Sequence, residues 1–148
     1  TMNTLQQLQH IGSSTDCPVV ALTNPEGHVL IGLRHYTPDR WKTVSVWTMP
    51  GGRSDGNESL EATLRRETAE EVGITNFEIT DFLGTIPGAK EGDVVHVFIG
   101  NTTEEAKLME PEKFSEWKWI NMRELPANFS EQFINPTVLA LITGHFEK

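Results

Sequence analysis

The sequence of 148 residues lacks the features that mark secreted and membrane-spanning proteins. Its single cysteine, Cys17, excludes a disulfide within the chain, and its apolar neighbours predict a packed residue rather than a nucleophile. No apolar run approaches the roughly 18 residues that a membrane-spanning helix needs, and no basic-then-apolar segment marks the N-terminus. These absences predict a cytoplasmic protein that has no membrane partner.

Positive charge is also scarce, because 12 Lys and Arg stand against 21 Asp and Glu and give a net charge of −9. Nucleic-acid polymers bind basic surfaces, so this charge argues against such a polymer as the partner. A free nucleotide is still compatible, because metal ions can neutralise both the acidic side chains and the phosphates. The length and the hydrophobic share of 37% predict one globular domain over residues 2–148.

The most informative stretch is residues 51–74, GGRSDGNESLEATLRRETAEEVGI. Ser59, or Asn57 before it, can cap a helix by accepting a backbone N–H of the first turn. Residues 60–72 contain no Gly or Pro and are rich in helix formers, and Gly73 is a natural stop. The pattern therefore predicts a helix of about 13 residues over 59–72.

Three acids lie late in this predicted helix: Glu67, Glu70 and Glu71. They project within an arc of roughly 100° on the helix surface, where like charges repel and destabilise the helix. Binding of a hard divalent cation would explain this stripe of acids, because Mg²⁺ takes oxygen ligands and is commonly shared with substrate phosphates. The alternative is a solvated acidic face of an amphipathic helix.

The same stretch resembles the signature of the Nudix hydrolases. That signature reads Gly, five residues, Glu, seven residues, then Arg-Glu-U-x-Glu-Glu-x-Gly-U, where U is bulky and apolar. The matching positions here are Gly52, Glu58, Arg66, Glu67, Glu70, Glu71, Gly73 and Ile74. The one departure is Thr68 at the first U, which we expect to cost some apolar packing and to touch no ligand.

The resemblance implies a catalytic metal site. Mg²⁺, for which Mn²⁺ can substitute, is expected on Glu67, Glu70, Glu71 and the Gly51 carbonyl. Glu67 is the preferred general base toward water. Arg66 and Glu58 are expected to orient the ligand acids and to hold the loop.

Acids and arginines outside the signature extend this predicted site. In related triphosphatases a glutamate shortly before a tryptophan-bearing strand approaches the metals, which points to Glu112, with Glu110 as the substitute. The alternative for both is an ordinary loop acid. Arg34 and Arg53 are candidate phosphate contacts, because a guanidinium fork matches phosphate oxygens, and plain surface arginines are the alternative.

Two residues near the C-terminus are candidates for contacting the base. The resemblance assigns base contact to Asn135, whose amide both donates and accepts, and stacking to Phe133. Asn135 can instead cap the following helix, since Pro136 suits its first position, and Phe133 can instead fill the core.

The order of elements predicts the fold class. Residues 3–11 read as a short helix with Leu5, Leu8 and Ile11 as its apolar stripe. Residues 17–34 read as a hairpin, residues 114–120 as a strand with Trp117 and Trp119 on one side, and residues 134–146 as a final helix. Strands and helices in this order suit a mixed sheet between helices, and the resemblance implies the α/β/α sandwich of the Nudix fold.

The activity implied by the resemblance is hydrolysis of a (deoxy)nucleoside triphosphate, including an oxidised one such as 8-oxo-dGTP, to the monophosphate and pyrophosphate. The alternative within enzymes is cleavage of ADP-ribose or a nucleotide sugar. The alternative outside enzymes is a nucleotide-sensing module, which usually loses ligand glutamates that this chain keeps. The base, and the choice between monomer and homodimer, stay open.

Overall fold

The computed structural model describes residues 3–35, 46–88, 90–121, 123 and 136–147. Three helices and six strands lie within these residues. In chain order they are α1 (Thr4–Gln9), β1 (Asp16–Thr23), β2 (His28–Arg34), β3 (Val46–Thr48), α2 (Leu60–Val72), β4 (Glu78–Pro87), β5 (Val94–Asn101), β6 (Phe114–Asn121) and α3 (Pro136–Phe146).

The six strands form one mixed sheet. The strand order is β3-β2-β1-β5-β4. The strand β6 lies outside this order and pairs with the edge of β2 that is opposite to β1 and β3. The pairing of β1 with β5 is parallel and runs over the full length of β1, whereas the other pairings are antiparallel. β1 and β2 form the predicted hairpin through the turn at Asn24, whose carbonyl accepts the Gly27 N–H at 2.9 Å.

Two apolar layers cover the faces of the sheet and confirm the α/β/α sandwich. On one face, Leu8 of α1 and Leu64 and Val72 of α2 pack on strand residues such as Leu30 and Phe98. On the other face, α3 contributes three buried side chains: Val138, Leu139 and Ile142. Trp117 and Trp119 of β6 both pack on the layer of α1 and α2, so the predicted shared side is confirmed.

The apolar stripe predicted for the first helix is wrong except at Leu8. Leu5 and Ile11 are 61% and 59% exposed, and the helix ends at Gln9. Ile11 instead forms an isolated β-bridge with Ser59, next to the start of α2. Within the described ranges, no helix has the length and apolar character needed to cross a bilayer.

Candidate active site

Both ends of α2 lie where the sequence predicts them. The Ser59 hydroxyl accepts the Ala62 N–H at 3.1 Å from an extended N-cap conformation, so Ser59 rather than Asn57 is the cap. Gly73 takes the left-handed conformation at φ +70° and donates its N–H to the Ala69 carbonyl. This placement sets Glu67 and Glu71 against the turn that precedes the helix.

Glu71 is the buried acid of the group. It is 6% exposed, and its Oε1 accepts the Gly51 N–H at 3.1 Å. Burial above all, together with the negative charges of Glu67 and Glu110, raises the pKa of Glu71 to about 8, although the Gly51 N–H and Arg34 oppose the rise. Because burial disfavours the charged form, this carboxylate needs a cation to be stable as an anion.

Gly51 lies in a turn that is attached to β1 by the backbone. Gly51 bridges to Val19, the Gly52 N–H donates to the Pro18 carbonyl at 3.1 Å, and the Val20 N–H donates to the Pro50 carbonyl at 2.9 Å. At φ +146° a side chain on Gly51 would strike the Pro18 carbonyl, so only glycine fits. The fixed turn aims its N–H at Glu71.

Glu67 lies over the same turn. A Cβ built on Gly52 would come within 2.6 Å of the Glu67 carboxyl carbon. Burial raises the pKa of Glu67, and the charge of Glu70 adds to this rise. Two carboxylates with disfavoured charge therefore meet the glycine turn from one helix.

Arg66 connects the remaining acids. Its Nη2 donates to Glu58 Oε1 at 2.7 Å, and its Nη1 donates to Glu67 at 3.1 Å and to Glu70 at 3.4 Å. Arg66, together with the Thr63 hydroxyl, which donates at 2.7 Å, lowers the pKa of Glu58 to about 2. This arrangement is what the predicted support roles of Arg66 and Glu58 require.

Whether the site fits a divalent cation depends on the carboxylate oxygens of Glu67, Glu70 and Glu71. No set of three acidic, His or Cys side chains among the described residues is already gathered tightly enough to hold a metal ion. Arg66 draws Glu67 and Glu70 to one side, while Glu71 is held by Gly51. Oxygen donors with disfavoured charge suit Mg²⁺, which keeps several waters and shares substrate phosphates, so the residues fit the ion.

A further acid reaches this region from the connection between β5 and β6, residues 102–113. The Lys107 N–H donates to the Val72 carbonyl at 2.9 Å, and the Met109 N–H reaches the Glu71 carbonyl at 3.4 Å. Within the described part of the chain, the buried Glu110 Oε1 has no hydrogen-bond partner. Glu112, the sequence-based choice, is exposed, so the connection brings Glu110 rather than Glu112 into the electrostatic surroundings of Glu71.

The two predicted phosphate arginines differ in their surroundings. Arg34 lies over the Phe114 ring at 5.9 Å and acts electrostatically on Glu71, so it faces the acids. Arg53 donates to both carboxylate oxygens of Asp93, at 2.8 and 2.6 Å, and to the Ser14 carbonyl. Phosphate contact stays a prediction for both arginines.

The remaining predicted site residues, Phe133 and Asn135, lie outside the described residues. Sequence reasoning missed two hydrogen-bond donors of the site, the Thr63 hydroxyl toward Glu58 and the Gly51 N–H toward Glu71. A threonine five residues after Glu58 has no distinctive signal, and a backbone donor has no side chain by which it could be recognised.

Comparison with known proteins identifies the family of this chain. The NUDIX domain matches residues 15–141, which is most of the chain. The class is therefore that of hydrolases that act on phosphorus anhydrides, cleaving pyrophosphate bonds. More narrowly, the chain belongs to the Nudix family, whose members generally use divalent metal ions.

Individual relatives agree with this placement. The chain is 30% identical over 127 residues to an RNA pyrophosphohydrolase of Caulobacter vibrioides, a match that covers 72% of each protein. It is 33% identical over 85 residues to a putative 8-oxo-dGTP diphosphatase of Bacillus subtilis, covering 57% of this chain and 56% of the relative. The crystal structure of a MutT protein from Methanosarcina mazei Go1 superposes with a TM-score of 0.68 at 19% identity, covering 90% and 96% of the two chains.

Proposed function

We propose that this protein is a Mg²⁺-dependent pyrophosphohydrolase that converts a (deoxy)nucleoside triphosphate, including an oxidised one, to the nucleoside monophosphate and pyrophosphate. The observation that carries the proposal is the buried Glu71, which Gly51 holds by its N–H beside Glu67. A buried carboxylate whose charge is disfavoured, beside a second acid, is a place where a cation binds favourably.

The residues of this chain divide the work as follows. Glu67, Glu70, Glu71 and the Gly51 carbonyl hold the cation, and Glu110 supports them in place of Glu112. When bound, the cation neutralises phosphate charge and makes water more acidic. Glu67 accepts a proton from the attacking water. Arg66 orients Glu67 and Glu70, and Glu58 with Thr63 fixes Arg66.

Arg34 supports the binding of a polyphosphate. It ends β2 on the side of the acids and opposes the raised pKa of Glu71. An arginine there balances the charge that a triphosphate brings into an acidic site, and its planar fork suits phosphate oxygens.

A second candidate substrate is the 5′-triphosphate end of an RNA chain. The names of several relatives favour it, since proteins called RNA pyrophosphohydrolase match this chain. The net charge of −9 opposes it, because each contact to an RNA backbone phosphate needs a positive group. We therefore place free nucleotides first.

The test is a substrate panel with pyrophosphate and phosphate release measured separately in Mg²⁺ and in Mn²⁺. The panel contains normal and oxidised nucleoside triphosphates, ADP-ribose, a nucleotide sugar and an RNA oligonucleotide with a 5′-triphosphate. We expect mainly pyrophosphate, with the highest kcat/KM on a free triphosphate. Activity confined to ADP-ribose or sugar nucleotides would refute the triphosphate proposal, and a higher kcat/KM on the RNA would establish the second candidate.

A further inference from the structure

Thr68 is a buried polar residue on the inner side of α2. Leu60, Leu64, Thr68 and Val72 recur at four-residue spacing on this side and are all fully buried. The Thr68 hydroxyl has no hydrogen-bond partner among the residues that the structure describes. A buried hydroxyl without a partner destabilises a fold, and an apolar residue of the same shape would avoid that cost.

Thr63, five residues before Thr68 in α2, is a buried threonine whose hydroxyl binds a nearby carboxylate. It is also 0% exposed, and its hydroxyl donates to Glu58 Oε1 at 2.7 Å. A helical threonine can also donate to the carbonyl four residues back, and the Thr68 hydroxyl does not do so. The donor of Thr68 is therefore uncommitted.

Helix geometry identifies the group that this donor can reach. Long side chains in a helix point back toward the N-terminus and lie over the residues three and four positions earlier. For Glu71 these residues are Thr68 and Glu67. Glu71 and Thr68 are both buried, at 6% and 0% exposure.

We propose that Thr68 is a positioning residue for Glu71. Its hydroxyl donates a hydrogen bond to the Glu71 carboxylate when Glu71 holds the divalent cation, and so adds a side-chain donor to the Gly51 N–H. The inference rests on the proposed function of Glu71 as a metal ligand. It accounts for a hydroxyl at a position where the family signature has a bulky apolar residue, because the lost packing is exchanged for a donor that orients a ligand.

The test compares Thr68→Val, which keeps the shape and removes the hydroxyl, with Thr68→Ser, which keeps the hydroxyl. Thr143→Val is the matched control, because Thr143 lies in α3 and donates to the Leu139 carbonyl on the other face of the sheet. The readouts are the Tm in EDTA, the Kd for Mn²⁺ from paramagnetic resonance, and kcat and KM for a nucleoside triphosphate.

We expect Thr68→Val to raise the Tm in EDTA and to weaken Mn²⁺ binding by about tenfold, the effect typical of losing a group that orients a metal ligand. Thr68→Ser restores the Mn²⁺ affinity that the valine loses, and Thr143→Val leaves the affinity unchanged. In a Glu71→Gln background, Thr68→Val has no further effect on Mn²⁺ binding, because the residue acts through Glu71.

Unchanged Mn²⁺ affinity in Thr68→Val would overturn the inference. So would an equal loss of affinity in the Glu71→Gln background, or a lower Tm in EDTA, since either result assigns Thr68 a purely structural role. The proposed function fails in a distinguishable way, because in that case the wild-type protein itself releases no pyrophosphate from a nucleoside triphosphate.

Discussion

At the scale of single residues, Glu71 is an acid whose surroundings disfavour its negative charge in the absence of a cation. It is buried, and the hydrogen bond that holds it comes from the neutral Gly51 N–H. With a pKa of about 8, the side chain keeps its proton at neutral pH in the metal-free protein. A cation must therefore displace this proton, so metal affinity should rise with pH.

The same property predicts how pH changes the stability of the metal-free protein. Glu71 has a folded-state pKa of about 8 against an ordinary value of 4.5. Between these values the unfolded chain has lost the proton that the folded chain keeps, so stability falls as pH rises, by up to about 1.4 kcal/mol per pH unit. Glu71→Gln removes this fall, which urea unfolding in EDTA from pH 5 to 9 measures.

Glu58 does not interfere with that measurement. Arg66 lowers its pKa to about 2, so its stabilising contribution is complete above pH 4.5 and is lost only as the pH falls below that value. If the wild-type and Glu71→Gln stability curves run parallel from pH 5 to 9, Glu71 is not a buried acid with a raised pKa.

Single-residue positions were predictable where the signature has a side chain at a fixed spacing. Glu67 and Glu71, which meet the glycine turn, belong to this group, and their roles as metal ligands stay predictions. The choice between Glu110 and Glu112 was not predictable, because their orientations depend on backbone bonds from Lys107 and Met109 to the end of α2. No periodic pattern records such bonds.

At the scale of elements, the turn before α2 and the helix itself form one unit. The space between them leaves no room for a side chain at residue 52 beside the Glu67 carboxyl group. The position of Glu67 therefore depends on the absence of a side chain at residue 52.

Gly52→Ala should displace this carboxylate. The added Cβ would lie 2.6 Å from the Glu67 carboxyl carbon, which is the far end of a flexible side chain and can move aside while the fold is kept. We expect kcat to fall by about 100-fold, the effect of misplacing a catalytic group by an ångström. Circular dichroism checks that the fold is kept, and the rate of pyrophosphate release measures kcat.

Gly144→Ala is the matched control for Gly52→Ala. Nothing lies within 4 Å of an added Cβ at this position in α3. Alanine there should raise stability by about 0.5–1 kcal/mol and leave kcat unchanged. Normal turnover by a folded Gly52→Ala protein would show that Glu67 does not need its observed position.

The connection between β5 and β6 makes a second prediction at this scale. It brings the buried Glu110 oxygen near Glu71 and leaves Glu112 exposed. We expect Glu110→Gln to lower kcat by about 10-fold or more, and Glu112→Gln to lower it less. Steady-state kinetics at saturating Mg²⁺ decide between the two acids, and the reverse order would return the role to Glu112.

Element boundaries were predictable where capping residues mark them. Ser59 and Gly73 bound α2 as predicted. The first helix has no such marked end, so its apolar spacing predicts a helix as far as Ile11, whereas the helix ends at Gln9. In the structure residues 10–12 pair with the turn before α2 instead, where the Gly12 N–H donates to the Glu58 carbonyl at 2.9 Å.

At the scale of the whole molecule, Arg53 connects the glycine turn to the start of β5. Its fork binds both oxygens of Asp93, 40 residues away, and each partner shifts the pKa of the other toward the charged form. Arg53 is 41% exposed, so the pair should contribute less than about 1 kcal/mol.

A comparison of Arg53→Ala with Asp93→Asn separates a structural role of Arg53 from a phosphate contact. Because the fork of Arg53 is occupied, we expect both variants to lower stability slightly and to change KM for the triphosphate equally. Thermal unfolding and steady-state kinetics measure these effects. A rise in KM confined to Arg53→Ala would instead establish the predicted phosphate contact.

The layers of the molecule were predictable, whereas the strand order was not. Local patterns identify strands, but the parallel pairing of β1 with β5 joins segments that are separated in the chain by β2, β3, α2 and β4. The resemblance to a known family supplied the sandwich that these patterns leave open.

The most direct test of the account is the turnover of Glu71→Gln with Mg²⁺ and a nucleoside triphosphate. Glutamine has the shape of the acid and can accept the Gly51 N–H, but it carries no charge to hold a cation. We expect kcat for pyrophosphate release to fall by orders of magnitude while circular dichroism shows a folded protein. Near-normal turnover by the folded variant would contradict this expectation.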